Sequence, residues 1–585
     1  MRHLRDEVIH VTAPWEYRDP LESKLSADVS AAHLMEHVRT IGALERESGS
    51  PGEAQAFDYI ERTLKTYGVE VERREIDAFI SLPQEARLAL PDGSVIQGLT
   101  HSFSTSVEAL DAELVDVGDG RPEDMQRAAG KIALVRGLAS PGRAWAAQQA
   151  GVLGHIHVLM DHLHNMIVTT IWGTPSPETA SRIPATPCLS ILGADGERLR
   201  AALARGPLRL RITTRVRTGW MPIPHLVGEL KGRQEERFLL VSGHVDSWHY
   251  GAMDNGTANA TMLEVARLLA TRRDALSRGI RFAFWSGHSH GRYAGSAWYA
   301  DHAWRDLHAR CVAHLNVDST GARGATDYSF LHATEDASAF AESVVADVAG
   351  QTSRAKRFSR AGDQSFWGAG VPSAFMSLSG LPKQDTELSR AMERLVGSAG
   401  FPWWWHTKDD TVDKIDAGVL VLDTTVYLAS ALRWLNAPVL PLDHARAARA
   451  LTAELEALQA AAGARFDLAP VLETARTLGE RLQRVSALAA APPPMRVEAI
   501  NCGLMRLSRV LVPLAYTTGD RFTHDLALPI PPLAGLQRAR ELAALDPHAD
   551  AYKFTVAALV RERNRALHAL DSAASIADDL LSTKD

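Results

Sequence analysis

Phe238-Leu-Leu-Val-Ser-Gly-His-Val-Asp-Ser-Trp248, continued by His249-Tyr-Gly-Ala-Met-Asp-Asn-Gly256 and then Thr257-Ala-Asn-Ala-Thr-Met-Leu-Glu-Val-Ala-Arg-Leu-Leu-Ala270, is the stretch that decides the fold. Phe238–Ser242 is a short apolar run suited to a buried strand. Residues from Ala258 onward carry helical periodicity. His244, Asp246 and Asp254 therefore sit where a strand gives way to a loop, the position at which open α/β sheets place their ligands. Imidazole and carboxylate are also the residue types that hold a divalent metal.

The same alternation continues outward. Strands are expected at Arg281–Trp285, Val312–Val317 and Ser373–Ser377, and helices at Ala258–Arg272, Glu335–Ala349 and Val419–Asn436. This predicts an α/β sandwich around a mixed, largely parallel sheet over residues 216–440. Residues 1–80 are expected to give an extended arm (1–24), two helices broken at Glu47–Gly52, and a strand from Val69. Residues 81–215, rich in turns and short strands, are expected to form an inserted β-rich domain. Residues 441–585 turn Ala/Leu/Arg-rich and predict a helical domain interrupted at Pro492-Pro-Pro494.

Bulk properties narrow the function classes. A chain of 585 residues needs several cores, and 46% hydrophobic with 23% charged residues is a globular composition. A net charge of −7 without long basic runs argues against nucleic acid. Cys188, Cys311 and Cys502 are too few and too scattered for a disulfide framework or a cysteine-rich zinc site. No signal-like segment or continuous apolar span is evident, so a cytoplasmic protein without a membrane partner is expected.

Two more positions extend the ligand set. Asp318 ends the apolar strand Leu315-Asn-Val-Asp318, and His406 follows Trp403-Trp-Trp405 just before Thr407. In this order the pattern resembles the M28 family of co-catalytic zinc metallopeptidases, and most closely the branch of glutamate carboxypeptidase II and the transferrin receptor. The resemblance implies a zinc-peptidase-type fold, a protease-associated insert and a helical dimerisation domain, hence a homodimer through the C-terminal helices. It also implies two divalent ions, zinc first, with manganese, nickel or iron as alternatives. His244 and Asp318 would hold one ion and His406 the other. Asp254 would bridge them, and Asp246 would orient His244.

One motif departs from the family. Where the family has a Glu-Glu pair, this chain has Trp285-Ser-Gly-His288-Ser289-His290-Gly-Arg292-Tyr293-Ala-Gly295-Ser296. Either His288 or His290 could replace the missing carboxylate ligand, and the other could take the proton-transfer role. On an extended segment the two would share a face. Asp363 and Gln364 are expected at the rim of the substrate pocket, with Trp248, His249 and Trp405 around the metals. Arg292 or Tyr293 is placed to meet a carboxylate or an oxyanion. The expected activity is hydrolysis of an amide bond in a small peptide or N-acyl amino acid. A metal-dependent lyase and an inactive, receptor-like scaffold are the competing readings.

Overall fold

The computed structural model describes residues 13–233, 236–396 and 400–582. Its strands are β1 (Glu70–Ala89), β2 (Val95–Thr100), β3 (Val107–Asp116), β4 (Ile132–Arg136), β5 (Gly154–Leu159), β6 (Cys188–Leu192), β7 (Arg209–Leu230), β8 (Phe238–His244), β9 (Gly279–Trp285), β10 (Cys311–Asn316) and β11 (Ser373–Ala374). They hydrogen-bond in the order β1-β2-β6-β5-β4-β3-β7-β9-β8-β10-β11, with β1 also paired to β7. The first seven of that order thus close on themselves as a ring. The sheet continues from β7 into β9, β8, β10 and β11, of which β9-β8-β10-β11 run parallel.

β8 is buried along its whole length, as a central parallel strand covered on both faces requires. One face carries the helix Ala258–Ala270, nearly all of it buried, and the helix Ala417–Asn436. Gly243 is required in β8 by close approach: a Cβ there would lie 2.7 Å from the Val317 carbonyl oxygen. This lets the ends of β8 and β10 come together, and with them His244 and Asp318.

β1 and β7 pair antiparallel from Glu70↔Glu229 to Ala89↔Arg211. This ribbon runs through both ends of the expected insert, so the 80/81 and 215/216 boundaries fall inside strands. Part of the expected arm lies outside the described residues (1–12). The remainder is not extended: Pro14–Glu16 forms a 3-10 turn and Glu22–Ala27 a helix, whose Glu22 accepts hydrogen bonds from the buried Arg433.

C-terminal helices occupy His444–Ala462, Ala469–Ala490, Val497–Tyr516 and Asp550–Ser582. Their apolar faces, including Leu455, Leu482, Leu507 and Leu570, join the same continuous core as Leu239, Phe282 and Leu315 of the sheet. At about 1.5–3 kcal/mol for each large side chain buried, that shared core ties the helical end to the sheet. Arg509 adds a buried polar tie, donating to the carbonyls of His308, Cys311 and Gly370. Helix Ala417–Asn436 is long and apolar enough to cross a membrane, which the sequence reading did not expect. It is mostly buried in this core, and that location accounts for its composition.

Candidate metal centre

His244 leaves the end of β8 and Asp318 follows the end of β10. Asp254 sits in the turn before helix Ala258–Ala270, and His406 in the loop before helix Ala417–Asn436. The four side chains converge. His244 Nε2 lies 3.1 Å from Asp254 Oδ1 and 3.7 Å from Asp318 Oδ2, and His406 Nε2 lies 3.1 Å from Asp254 Oδ2. Asp254 thus offers one oxygen to each imidazole, the arrangement a bridging carboxylate needs.

Both imidazoles are held in one tautomer. His244 Nδ1 lies 2.8 Å from the Asp246 main-chain carbonyl, and His406 Nδ1 lies 2.6 Å from that of Asn165. Each Nδ1 donates to a carbonyl, so each Nε2 presents a lone pair. His244 Nε2 is buried, makes no hydrogen bond and faces two carboxylates. Lone pairs turned on one another without a proton between them are repulsive, and a divalent cation at their meeting point removes the conflict. The residues therefore fit the metal. Burial opposes charge on His244, yet Asp246, Asp254 and Asp318 push its imidazole well above the ordinary value, so a cation arriving here displaces a proton. Burial opposes charge on Asp254, yet His244 and His406 hold its carboxyl below the usual range. Burial, and then Asp254, push Asp318 up to about 6. Burial also pushes the His406 imidazole down, which keeps its lone pair free.

Residues 225–429 match the model of peptidase family M28. This stretch is an M28 peptidase domain.

Relatives of the domain resemble the chain distantly. The "Probable glutamate carboxypeptidase VP8" of Zea mays is 25% identical over 391 residues, covering 54% of each chain. The "Probable lipoprotein aminopeptidase LpqL" of Mycobacterium tuberculosis is 25% identical, covering 71% of this chain and 86% of its own. "Aminopeptidase NAALADL1" of Mus musculus is 26% identical, covering 52% and 45%. The chain thus spans about half the length of the first and third of these. Among solved structures, a peptidase M28 precursor from Shewanella amazonensis superposes with a TM-score of 0.56 at 20% identity, covering 72% of this chain and 97% of that one. The zinc aminopeptidase BSAP from Bacillus subtilis does so at 0.52 and 22%, covering 69% and 94%. At these identities the structures establish a shared fold.

The M28 domain holds its histidine motif differently from the sequence expectation. Residues 286–293 form turns rather than an extended segment, with Arg292 and Tyr293 at positive φ. His288 and His290 consequently do not share a face. His288 reaches the cleft, its Nδ1 2.9 Å from Asp363 Oδ2 and its ring stacked on His244 at 3.8 Å and 14°. One ligand atom from each of His244, His288 and Asp318 lies within 4.8 Å of the others, so His288 is also placed beside an ion held by His244 and Asp318. His290 is wholly buried, turned towards Ser48 Oγ at 3.0 Å and packed on Trp248. It is not part of the cleft lining.

Asp246 meets His244 Nδ1 chiefly through its main-chain carbonyl at 2.8 Å, with its carboxylate Oδ1 3.6 Å away. The carboxylate accepts from the N–H groups of His288 and Ser289 and from the Ser48 hydroxyl, so it pins the histidine loop beside His244. Burial works against its charge, but His244 and His290 bring its carboxyl well below the usual range.

Several supports escaped sequence reasoning. Buried Arg46 donates to the carbonyls of Val245, Tyr250 and Gly251, fixing the chain between His244 and Asp254. Asp410 accepts from the N–H groups of Met253 and Asp254. Asn255 accepts from Ser319 N and donates to Val317 O, seating Asp318 beside Asp254. His164 donates to the Trp405 carbonyl, and Asn165 N–H donates to the His406 carbonyl, so the two brace that main chain. Asp410 had a legible signal, lying four residues after His406; the others are contacts between distant segments.

A cleft of about 670 Å³, counting its open mouth, lies over the metal centre and is lined by Asp254, His288, Asp318 and His406. Its apolar wall comes from Met166, Ile167, Met376, Phe401 and Trp405. Arg292 and Tyr293 also line it. Among the described lining residues Arg292 supplies the one guanidinium, and its Nε is buried without a hydrogen-bond partner. The Tyr293 hydroxyl accepts from Gly362 N. Asp363 and Gln364 are not at the rim. Both are buried: Asp363 backs His288, and Gln364 donates to the Phe375 carbonyl. Trp248 and His249 also lie off the cleft wall. Trp248 packs beneath His406, and His249 Nε2 lies 3.1 Å from Asn165 Oδ1.

Proposed function

We propose that this protein is a dinuclear metal-dependent hydrolase that cleaves an amide bond in a small peptide or N-acyl amino acid carrying a free carboxylate. The observation that carries the proposal is Asp254, with one oxygen 3.1 Å from each of two imidazoles whose lone pairs face it. His244, Asp254, Asp318 and His406 would hold the ions. Bound there, two divalent ions supply Lewis acidity for the scissile carbonyl and lower the pKa of a water.

The chain's own residues do the rest. His288 stands in for the missing glutamate as proton carrier. Asp363 fixes its Nδ1–H, leaving Nε2 free towards the cleft. Nε2 takes a proton from the attacking water and returns it to the departing amine nitrogen, so that hydroxyl adds to the carbonyl carbon as the C–N bond breaks. Asp363 offsets the transient charge on the ring. The apolar wall receives a side chain and excludes bulk water. Arg292 faces the substrate carboxylate, a role supported by its unpartnered Nε.

The test is amine release from a panel of dipeptides and N-acetyl amino acids by zinc- or manganese-loaded protein. Turnover that needs the metal and vanishes in Asp254→Ala is expected. A fully metal-loaded protein that cleaves none of the panel would overturn the hydrolase reading.

A further inference from the structure

The strand ring contains a second cluster of metal-ligating side chains, separate from the cleft. His155 and His157 are two residues apart on β5 and so share a face, and His155 pairs in parallel register with Cys188 of β6. All three are fully buried. One nitrogen from each histidine and the Cys188 sulfur lie within 4.8 Å of one another. Nδ1 of His155 is 3.0 Å from Nε2 of His157.

The proton inventory is incomplete. His157 Nδ1 lies 3.2 Å from the Gly137 carbonyl and donates to it, so its Nε2 presents a lone pair to the cluster. If His155 donates from Nδ1 to that lone pair, its own Nε2 is a buried acceptor, and that atom has no partner. Leaving such a group unsatisfied costs about 1–3 kcal/mol.

Charge selects the cation. Among the described residues the two imidazoles hydrogen-bond to each other and to the Gly137 carbonyl, and no carboxylate is hydrogen-bonded or ion-paired to either ring or belongs to the cluster. A divalent ion on one thiolate and two imidazoles would leave a net positive charge buried without compensation. A monovalent soft ion on the same three ligands is neutral, and thiolate with imidazole is a donor set that soft ions accept. We propose that His155, His157 and Cys188 form a buried site for a monovalent soft metal ion of the Cu(I) type. Binding exchanges the thiol proton for the metal: the S–H bond breaks, an S–metal bond forms, the proton leaves to solvent, and no electron moves. The site adjoins the cleft wall, because neighbouring His101 accepts from the N–H of Met166, a cleft-lining residue.

The test uses the full chain carrying Cys502→Ser, which removes the exposed thiol. The protein is produced in copper-supplemented medium, loaded with zinc at the cleft, and challenged anaerobically with a competing Cu(I) chelator. One copper per chain should remain, with sulfur and nitrogen neighbours by X-ray absorption. It should be lost in both Cys188→Ser and His157→Gln, while melting temperature and zinc content stay close to those of the Cys502→Ser parent. Chelator removal of all copper from that parent would overturn the site, as would full retention in Cys188→Ser. If either variant melts early, His155→Gln gives an independent reading.

Discussion

Substituting Asp363 by Asn isolates what its charge does for His288. Asp363 is 1% exposed, with Oδ2 2.9 Å from His288 Nδ1 and Oδ1 2.7 Å from the Ser296 hydroxyl. Asn has the same shape. With its NH2 turned to the Ser296 oxygen, which can accept, its carbonyl still receives the His288 N–H. Ring orientation is kept and only the charge is lost. A hydrogen bond to a charged partner contributes about 1.5–3 kcal/mol and the neutral one that Asn keeps about 0.5–1.5, so about 1–1.5 kcal/mol is lost. At about 1.4 kcal/mol per decade, kcat/KM should fall about 5- to 12-fold, mostly in kcat. Asp363→Ala also strands the His288 N–H and the Ser296 hydroxyl, so it should fall further and lower the melting temperature. The assay is steady-state turnover of the best panel substrate, with metal content measured on each preparation. The reasoning fails if Asp363→Asn stays within threefold of the parent, or if its loss of activity follows a loss of metal.

Arg292→Gln should raise KM at least tenfold for substrates with a free carboxylate and leave their amides nearly unchanged; equal effects on both would remove Arg292 from substrate recognition. Gly243→Ala should lower the melting temperature and metal affinity together, because its methyl would meet the Val317 carbonyl at 2.7 Å. A variant that melts like the parent would contradict the close packing of β8 and β10. Burial raises Asp423 to about 6, above its unfolded value near 3.8. The folded state therefore binds the proton more tightly, and its contribution is full below about pH 4 and lost as pH rises through 6. Asp423→Asn can still accept from Gly321 N and Ser379 and can donate to the Tyr328 oxygen. It should flatten stability against pH across that window by up to about 1.4 kcal/mol per pH unit, and denaturant titrations at pH 4, 5, 6 and 7 would expose an unchanged slope.

The alternation of β8, β9 and β10 with helices was legible in the sequence because each element carries its own period and its own stop signals. So were the four convergent side chains, because strand ends and their loops are where such a sheet gathers ligands. Less was legible where a long-range contact decides. The directions of His288 and His290 depend on a turn held by the Asp246 carboxylate, with Gly287 at positive φ. Nothing in the spacing of two histidines announces that turn. Gln364, Trp248 and His249 have the composition of a pocket, but burial beneath it was decided by contacts outside the local pattern, such as Asn165 for His249 and His406 for Trp248. Arg46 carries no local pattern at all. Its role exists only once residues 41–46 lie against residues 245–251.

The central claim is that Asp254 bridges two ions, and elemental mass spectrometry of the reconstituted protein tests it most directly. About two divalent ions per chain are expected in the parent, falling to one or fewer in Asp254→Asn, whose amide can offer an oxygen to only one side. A parent that holds one ion or none, or an Asp254→Asn variant that still holds two, would contradict the account.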